Sequence, residues 1–191
     1  MKKHIVTAIL YTVFTALLLG IAYPLAITGI AQLLYPRQSN GSLVYANGQL
    51  IGSTLIGQPF TGSSYFHSRP SNAGAGYDAD ASSGSNLAPT SQILVTRINQ
   101  SVQQEKVGNT DVPVDLVTTS ASGLDPDLTP AAALYQAPRV AQSRRLSVAA
   151  VEALIDKNTT QRQFGLLGEP RVNVLALNRA LDRLTSGANH P

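Results

Sequence analysis

An unbroken apolar run near the N-terminus dominates the hydrophobic pattern of this chain. It extends from Ile5 to Leu34, and no Asp, Glu, Lys or Arg lies between Lys3 and Arg37. Such a run exceeds the roughly 18 apolar residues that indicate a membrane-spanning helix. The pattern predicts a transmembrane helix over about residues 7–34, within a membrane anchor of residues 1–36 that contacts the lipid bilayer.

The charges that flank the run predict its orientation. Lys2 and Lys3 precede it, whereas Arg37 is the only cation that follows it before Arg69. Because cationic flanks remain in the cytoplasm, the N-terminus is expected inside and residues 37–191 outside. A cleaved signal peptide is the alternative, since Gly29-Ile30-Ala31 supplies small residues, but its apolar core would span only about 7–15 residues. Both interpretations export residues 37–191.

Two features of the run bear on its packing. Pro24 lacks an amide donor and predicts a bend in the helix. Small residues recur at every fourth position, which suits close packing on another helix in lipid, although small residues are also common in spanning helices generally. This strip of small residues consists of Ala8, Thr12, Ala16 and Gly20.

Beyond the anchor, short apolar runs predict β-structure. Asn47-Gly48 lies between two such runs and favours a hairpin with a type I′ turn. Further strands are predicted over Ser53–Ile56 and over Val112–Val117, where Pro113 indicates a sheet edge or the start of a strand. Phe164–Val172 is predicted to be short and extended, interrupted by glycine and proline.

Four amphipathic stretches predict helices. The first follows Pro89-Thr90-Ser91 and ends near Val107-Gly108. The others begin after the predicted caps Thr129, Ser147 and Asn173, with a break or kink at Pro138 and an end at Gly187. Together the patterns predict an α+β fold, in which one N-terminal transmembrane helix precedes a single extracytoplasmic domain, residues 37–191, with a small β-sheet and about four helices.

The segment from Tyr65 to Asn86 has no apolar period and is rich in Gly, Ser and Asn. Long loops of this kind within compact domains are usually functional or disordered. Because Tyr65, Phe66 and Tyr77 supply aromatic area that plain linkers lack, we expect the loop to fold back on the domain or to meet a partner.

Composition excludes several classes of function. The chain has no cysteine, which rules out disulfides, thiolate metal sites and a cysteine nucleophile. All 11 acidic residues and all but Lys2 and Lys3 of the 14 basic residues lie beyond the anchor. The exported part is therefore nearly neutral, and nothing indicates a nucleic-acid partner.

The sequence contains no clear motif for nucleotide binding or catalysis. Gly74-Ala75-Gly76 lacks the third glycine of a dinucleotide loop, and no Gly-Lys-Ser/Thr element is present. A serine hydrolase needs a base, and His67 is the only histidine within the predicted domain apart from the tail. A structural or interface role for His67 is therefore favoured, and no catalytic residue is predicted.

A calcium loop is the other chemistry to consider. Oxygen-bearing residues alternate at Asp78, Asp80, Ser82 and Asn86, but Pro89 stands where a bidentate Glu belongs. Local turn chemistry explains the pattern better, so no metal site is predicted.

Several motifs resemble one bacterial family, and they follow its order along nearly the whole chain. The chain is similar to the C subunit of the Kdp complex, the potassium-transporting P-type ATPase. The motifs that carry the resemblance are Gly20–Leu25, Gly52–Gly62, Tyr65–Ser71, Ser83–Leu87, Val112–Thr118, Ser122–Asp125, Thr129-Pro130, Pro138–Ala141, Gly168–Asn173 and Leu177-Asn178.

The resemblance implies a role as a non-catalytic accessory subunit of a high-affinity potassium uptake pump in the bacterial inner membrane. Its partners would be a channel-like potassium-binding subunit, a catalytic subunit phosphorylated by ATP, and a small single-span subunit. The family is described as a catalytic chaperone that raises the ATP affinity of the catalytic subunit. No cofactor is expected to bind this chain directly, because an exported domain cannot reach cytoplasmic ATP.

We expect the loop to form the contact surface for other subunits. The alternative hypothesis is a membrane-anchored exported hydrolase or ligand-binding protein that uses His67, Arg69 and Tyr77. The candidate interface residues are Tyr65, Phe66, His67, Arg69, Tyr77, Asp78, Ser83, Gly84 and Asn86.

Overall fold

The structure is a computed structural model that describes residues 1–108 and 110–188. The chain divides into two compact units, Met1–Ile51 and a second that begins at Gly52. Their architecture is α+β, with one N-terminal apolar helix and small sheets, as the sequence predicts.

The first unit begins with a continuous helix from Lys2 to Leu34, long and apolar enough to cross a membrane. It consists of α1 (Lys2–Leu17), a π-helical turn (Leu18–Ala22) and α2 (Tyr23–Leu34). The Tyr23 amide donates to the Leu18 carbonyl, five residues earlier. A wider turn at this point gives the ring of Pro24 room beside the preceding carbonyls, so the helix continues through Pro24. The bend predicted there stays a prediction.

A short helix, α3 (Pro36–Ser39), leads into a two-stranded sheet of β1 (Leu43–Ala46) and β2 (Gln49–Ser53). Asn47 and Gly48 have φ values of 50° and 77°, which confirms the predicted hairpin turn with two left-handed residues. The predicted strand over Ser53–Ile56 is wrong. The Ser53 hydroxyl accepts the Leu55 amide at 3.1 Å, and this local turn ends the strand.

Four helices of the second unit follow the predicted pattern. Side-chain oxygens of Thr129, Ser147 and Asn173 accept amide hydrogens three residues onward, which confirms all three predicted caps. Ser91 precedes the first helix but makes no side-chain cap bond. The helices are α4 (Gln92–Glu105), α5 (Pro130–Arg144), α6 (Val148–Lys157) and α7 (Val174–Ala188).

Helix α5 continues through Pro138 to Arg144, so the predicted break there is wrong, while the alternative of a kink stays a prediction. Helix α7 includes Gly187 and Ala188, one residue beyond the predicted end. A proline inside a helix removes one hydrogen bond. Ala137 and Val140, on either side of Pro138, have no exposed surface, so burial of this face outweighs the lost bond.

The predicted strand over Val112–Val117 is also wrong, because Val114–Leu116 is a 3₁₀ turn. Leu116 and Val117 are both buried, at 3% and 7% exposure, while Val114 is 65% exposed. A strand would direct neighbouring side chains to opposite faces, whereas a turn buries both on one side. The buried Asp115 carboxylate fixes the turn by accepting the Thr129 amide at 2.9 Å.

A small antiparallel sheet joins the helices of the second unit. Its strands are β3 (Asp127–Leu128), β4 (Thr159–Thr160) and β5 (Arg171–Asn173), in the order β3-β5-β4. Val172 pairs with both Leu128 and Thr159. Within the predicted extended stretch Phe164–Val172, only Arg171 and Val172 belong to a strand, since residues 163–168 form a tight turn.

The core of the second unit lies between this sheet, α5, α6 and α7. One face of α5 is lined by alanines that are at most 1% exposed, which lets neighbouring elements approach closely. The larger buried side chains of the core are Phe66, Val140, Val151, Ile155, Val172, Leu177 and Leu181.

Leu177→Ala should lower the free energy of unfolding by about 2–5 kcal/mol, because it opens a cavity in this core. Leu184→Ala removes the same atoms from the same helix at a position that is 38% exposed, and should cost under about 1 kcal/mol. Urea unfolding of the full-length protein in detergent measures both. Equal losses would show that the α7 face is assigned incorrectly.

Candidate functional site

Two buried side-chain amides hold the start of the predicted interface loop. The Phe66 amide donates to Asn178 Oδ1 at 2.9 Å, and Asn178 Nδ2 donates to the Phe66 carbonyl at 3.0 Å. His67 is held in the same way, by Gln136 Oε1 at 2.8 Å and Gln136 Nε2 at 3.2 Å. Both amides are 1% exposed. They replace the partners that a neighbouring strand would offer, so extended backbone can enter the core.

Phe66 itself has 0% exposure and belongs to the core. It therefore supports the predicted interface from beneath and offers no surface of its own. The other residues of that set, apart from the exposed Asp78 and Asn86, are partly buried.

Arg139 of α5 extends this arrangement along the loop. Its Nη1 donates to the carbonyls of Ser63 and Tyr65 at 2.8 and 3.0 Å, and its Nη2 donates to Gln136 Oε1 at 2.6 Å. Burial lowers the pKa of Arg139, while the Glu105 charge opposes that shift. The guanidinium stays charged and fixes the acceptor end of the Gln136 amide.

Arg144, five residues further along α5, holds the aromatic part of the loop. Its Nε donates to the Ser64 carbonyl at 2.8 Å, and its Nη2 pairs with Asp182 of α7 at 2.7 Å. Its guanidinium carbon lies 4.5 Å from the ring centroid of Tyr65, a cation–π contact. Tyr65 is thus held in one orientation at the surface.

His67 contacts two acceptors. Its Nδ1 lies 3.1 Å from Glu105 Oε1 on α4, and its Nε2 lies 3.2 Å from the Gly62 carbonyl. A doubly protonated imidazole donates to both, whereas a neutral ring donates to one. Neither neighbour is a hydroxyl that the imidazole could activate, and the contact with Glu105 ties the loop to α4.

Arg69 joins the loop to the turn that precedes β3. Its Nη1 pairs with Asp125 at 3.1 Å, and its Nη2 lies 3.4 Å from the Thr118 hydroxyl. Among the described residues, its Nε is a buried polar atom without a hydrogen-bond partner.

Tyr77 and Ser71 close the loop on itself. The Tyr77 hydroxyl donates to the Arg69 carbonyl at 2.6 Å, and its amide donates to the Ser71 hydroxyl at 2.7 Å. Ser71 in turn donates to the Gly123 carbonyl at 2.6 Å. Burial, with a smaller contribution from the Glu105 charge, raises the pKa of Tyr77 to about 12. The phenol is therefore a neutral donor at physiological pH.

The last part of the loop packs on residues 120–123. The Ser83 amide donates to the Ser122 carbonyl at 3.0 Å, and a Cβ on Gly84 would lie 2.9 Å from the Ala121 carbonyl. Only glycine fits such an approach without displacing the backbone. Asn86 is exposed and has a φ of 51°.

Two side chains of the calcium-like pattern, Asp78 and Ser82, form hydrogen bonds with other groups of the chain. Asp78 accepts the Asp80 amide at 3.0 Å, and the Ser82 hydroxyl donates to the Ser122 carbonyl at 3.0 Å. No group of three His, Cys, Asp or Glu residues placed to hold a metal ion was found among residues 1–108 and 110–188.

A charged cleft lies beside Arg69. Arg171 pairs with Asp127 there at 3.0 Å, next to the Arg69–Asp125 pair. Burial raises the pKa of Asp127, although its hydrogen bond from Asn173 and the charge of Arg171 act in the opposite direction. The cleft is lined by Arg69, Asp115, Asp125, Asp127, Glu169 and Arg171.

Sequence reasoning missed the residues that hold the loop. Gln136, Arg139, Arg144 and Asn178 all lie on helices that the pattern predicts, at or beside apolar positions. One signal in the sequence could have identified them. Asn178 lies beside Leu177 and near Leu181 on the apolar side of α7, and an amide buried there needs a hydrogen-bond partner.

Comparisons with known proteins cover nearly the whole chain. A family model described as "KdpC: K+-transporting ATPase, c chain" matches residues 5–183. A relative from Acidobacterium capsulatum is 64% identical over 182 residues, covering 95% of this chain and 99% of its own length. Relatives from Koribacter versatilis and Gemmatimonas aurantiaca are 54% and 53% identical, with at least 95% of each chain covered. Each of the three carries the name "Potassium-transporting ATPase KdpC subunit".

Asn178→Ala should lower the free energy of unfolding by about 2–5 kcal/mol, because it leaves a buried N–H and a buried C=O of Phe66 without partners. Asn99→Ala, at an exposed position on α4, is the matched control and should cost under about 1 kcal/mol. Hydrogen exchange adds a local measurement, since the Phe66 amide should lose protection. Unchanged protection would contradict the proposed support of the loop.

Tyr77→Phe should cost about 1 kcal/mol near neutral pH, because one hydrogen bond is lost. In the unfolded chain the phenol ionises near its ordinary value of 10.0, whereas in the folded protein it stays protonated to about 12. The unfolded state then binds fewer protons between these values, so wild-type stability falls as pH rises through this window. The difference in unfolding free energy between wild type and variant should therefore stay constant up to pH about 10 and narrow between pH about 10 and about 12 in urea unfolding. A constant gap would be inconsistent with the raised pKa.

Proposed function

The chain belongs to the KdpC family, the c chains of K+-transporting ATPases, and we propose from this that it is a non-catalytic accessory subunit that assembles or stabilises the pump. Its membrane association follows from the apolar helix Lys2–Leu34. The proposed partners are the channel-like potassium-binding subunit, the catalytic subunit and the small single-span subunit of the same pump. The proposed location is the bacterial inner membrane.

The observation that carries this proposal is that the polar side chains considered for catalysis form hydrogen bonds within this same chain. The His67 ring, the Arg69 guanidinium and the Tyr77 hydroxyl each contact atoms of this same chain. These contacts fix the shape of the loop, as the buried amides of Gln136 and Asn178 do from below. Preorganised surfaces bind partners at a lower entropic cost than mobile ones. The geometry therefore suits a rigid docking surface better than a site for chemistry.

The anchor supplies a second proposed contact. Ala8, Thr12, Ala16 and Gly20 are all exposed, and apart from its chain neighbours and the adjoining helix backbone no described atom lies within 4 Å of where a Cβ on Gly20 would be. Small residues let helix backbones approach closely in lipid, where no hydrophobic force brings helices together. We assign this strip to packing against the channel-like subunit.

The proposed topology determines how this subunit influences ATP use. Lys2 and Lys3 favour a cytoplasmic N-terminus, which leaves the second unit outside, away from cytoplasmic ATP. The role of a catalytic chaperone then requires no nucleotide contact. By binding one conformation of the pump more tightly than another, the subunit would raise the fraction of the catalytic subunit that is competent to bind ATP.

The double variant Ala16→Leu/Gly20→Leu should reduce the other pump subunits recovered with this chain about tenfold, because the larger side chains hold the helices apart. Leu18→Phe adds bulk about 160° around the helix axis from both Ala16 and Gly20, because the helix has about 3.6 residues per turn, and it is the matched control. The measurement is co-purification in mild detergent, together with the KM for ATP, which should rise as this subunit is lost.

Two outcomes bear on different parts of the proposal. Recovery of wild-type chain without any pump subunit would contradict the accessory role itself. Full recovery with the double variant would contradict only the packing of the small-residue strip.

A further inference from the structure

Helix α4 (Gln92–Glu105) is attached to the second unit differently from the other helices. All 14 of its residues are at least partly exposed, whereas α5, α6 and α7 each contribute side chains with 0% exposure. Its apolar side chains Leu94, Ile98 and Val102 are only half-buried, and none of them belongs to the core cluster of the described residues. Burial of apolar surface therefore holds α4 much less firmly than it holds the other three helices.

Polar contacts join α4 to the loop of residues 65–86. From the middle of the helix, Arg97 Nη1 donates to Asn72 Oδ1 at 3.1 Å. From its last residue, Glu105 Oε1 lies 3.1 Å from His67 Nδ1. Each contact of this kind contributes modestly, because water can take the place of either partner. Helix α4 thus lies across the loop and is fastened to it by exchangeable bonds.

The two ends of α4 are held unequally. At the C-terminal end, the Tyr135 hydroxyl of α5 donates to the Glu105 carbonyl at 3.1 Å and accepts the Val107 amide at 2.9 Å. At the N-terminal end, Ser91 makes no side-chain cap bond, and Ile93 is 69% exposed. The C-terminal end therefore suits a pivot, and the N-terminal end is the part that leaves first.

A separated α4 would have little stability of its own. Isolated helices shorter than about 12–15 residues are marginal in water, and α4 has 14 residues. Its departure would therefore be coupled to its unfolding, which makes the event visible in the exchange of its amide hydrogens. Regions with few buried apolar contacts open in this way, at a free energy below that of global unfolding.

We infer that α4 is a strap that undocks from the loop while α5, α6 and α7 stay packed. The backbone of the loop keeps its place in this step, because Gln136 and Asn178 hold it independently of α4. Undocking frees His67 Nδ1 and Asn72 Oδ1, which α4 occupies in the docked form. The second unit then offers two alternative surfaces, one with these atoms covered and one with them free. This inference goes beyond the proposed function, because it concerns the second unit alone.

Native-state hydrogen exchange of the full-length chain in detergent, with urea added below the unfolding transition, measures this opening. The amides of Ile98 and Val102 should be at least about a hundredfold less protected than those of Leu177 and Leu181 in α7. The Phe66 amide should keep the protection of the core, because it donates to Asn178.

Variants of the contacts test what holds the strap. Arg97→Ala removes the bond to Asn72 and should lower the protection of α4 about fivefold, the effect of one hydrogen bond. Gln100→Ala, at an exposed position of the same helix, is the matched control and should not lower it, since Gln and Arg have similar helix propensities. Tyr135→Phe keeps the ring, removes both bonds at the pivot and should lower the protection of α4 at least as much as Arg97→Ala.

Three results would overturn the inference. Equal protection of α4 and α7 would show that α4 opens only with the core. Loss of protection at Phe66 together with α4 would show that the loop unfolds with the helix. Equal effects of Arg97→Ala and Gln100→Ala would show that contact with the loop does not hold the strap. The accessory role stands in each case, because co-purification tests it separately.

Discussion

The exchange of hydrogen bonds between two buried amides and the backbone of Phe66 and His67 is the constraint on which the second unit depends. Extended backbone cannot enter an apolar core unless its amides and carbonyls find partners, and here no strand supplies them. Gln136 and Asn178 do so from two different helices, which couples the packing of α5 and α7 to the path of the loop. Because Phe66 also fills the core, loss of either amide would disturb helix packing and loop position at once.

Beyond this point the loop is shaped by short polar contacts and by close backbone approach, with little apolar burial. Ser71 bridges the Tyr77 amide and the Gly123 carbonyl, and the Gly84 backbone lies against residue 121. Each bond contributes modestly, near 1 kcal/mol, but together they allow a long irregular segment to hold one shape. The consequence for function is a surface with fixed geometry, in which the side chains of His67, Ser71 and Tyr77 already bond to other parts of the chain.

Sequence reasoning succeeded where structure depends on neighbours along the chain. The caps at Thr129, Ser147 and Asn173 and the hairpin turn at Asn47-Gly48 follow from local backbone preferences, which a sequence displays directly. Sequence reasoning failed where contacts with distant parts of the chain determine the backbone conformation. The valines before Leu116 have high strand propensity, yet burial of two adjacent side chains requires a turn.

The same limit applies to the candidate site. Aromatic residues in the loop correctly indicated order, but which of them face the core depends on amides more than 60 residues away, as the His67–Gln136 separation of 69 shows. An exposed apolar turn is also hard to recognise beforehand. Phe164, Leu166 and Leu167 have the composition of a buried segment, and only the fold reveals that they face water.

The turn of residues 163–168, here called the apolar tip, exposes Phe164, Leu166 and Leu167, whereas the loop is largely polar. This opposite chemical character supports a division of roles between them. Polar groups that bond within the chain gain little from a new partner, because binding would exchange one hydrogen bond for another. Exposed apolar side chains on a rigid turn gain the full free energy of leaving water and lose little entropy. In an accessory subunit, affinity would therefore come mainly from the apolar tip and the membrane helix. The rigid loop would contribute shape and specificity, because a surface that cannot adapt rejects partners that do not match it.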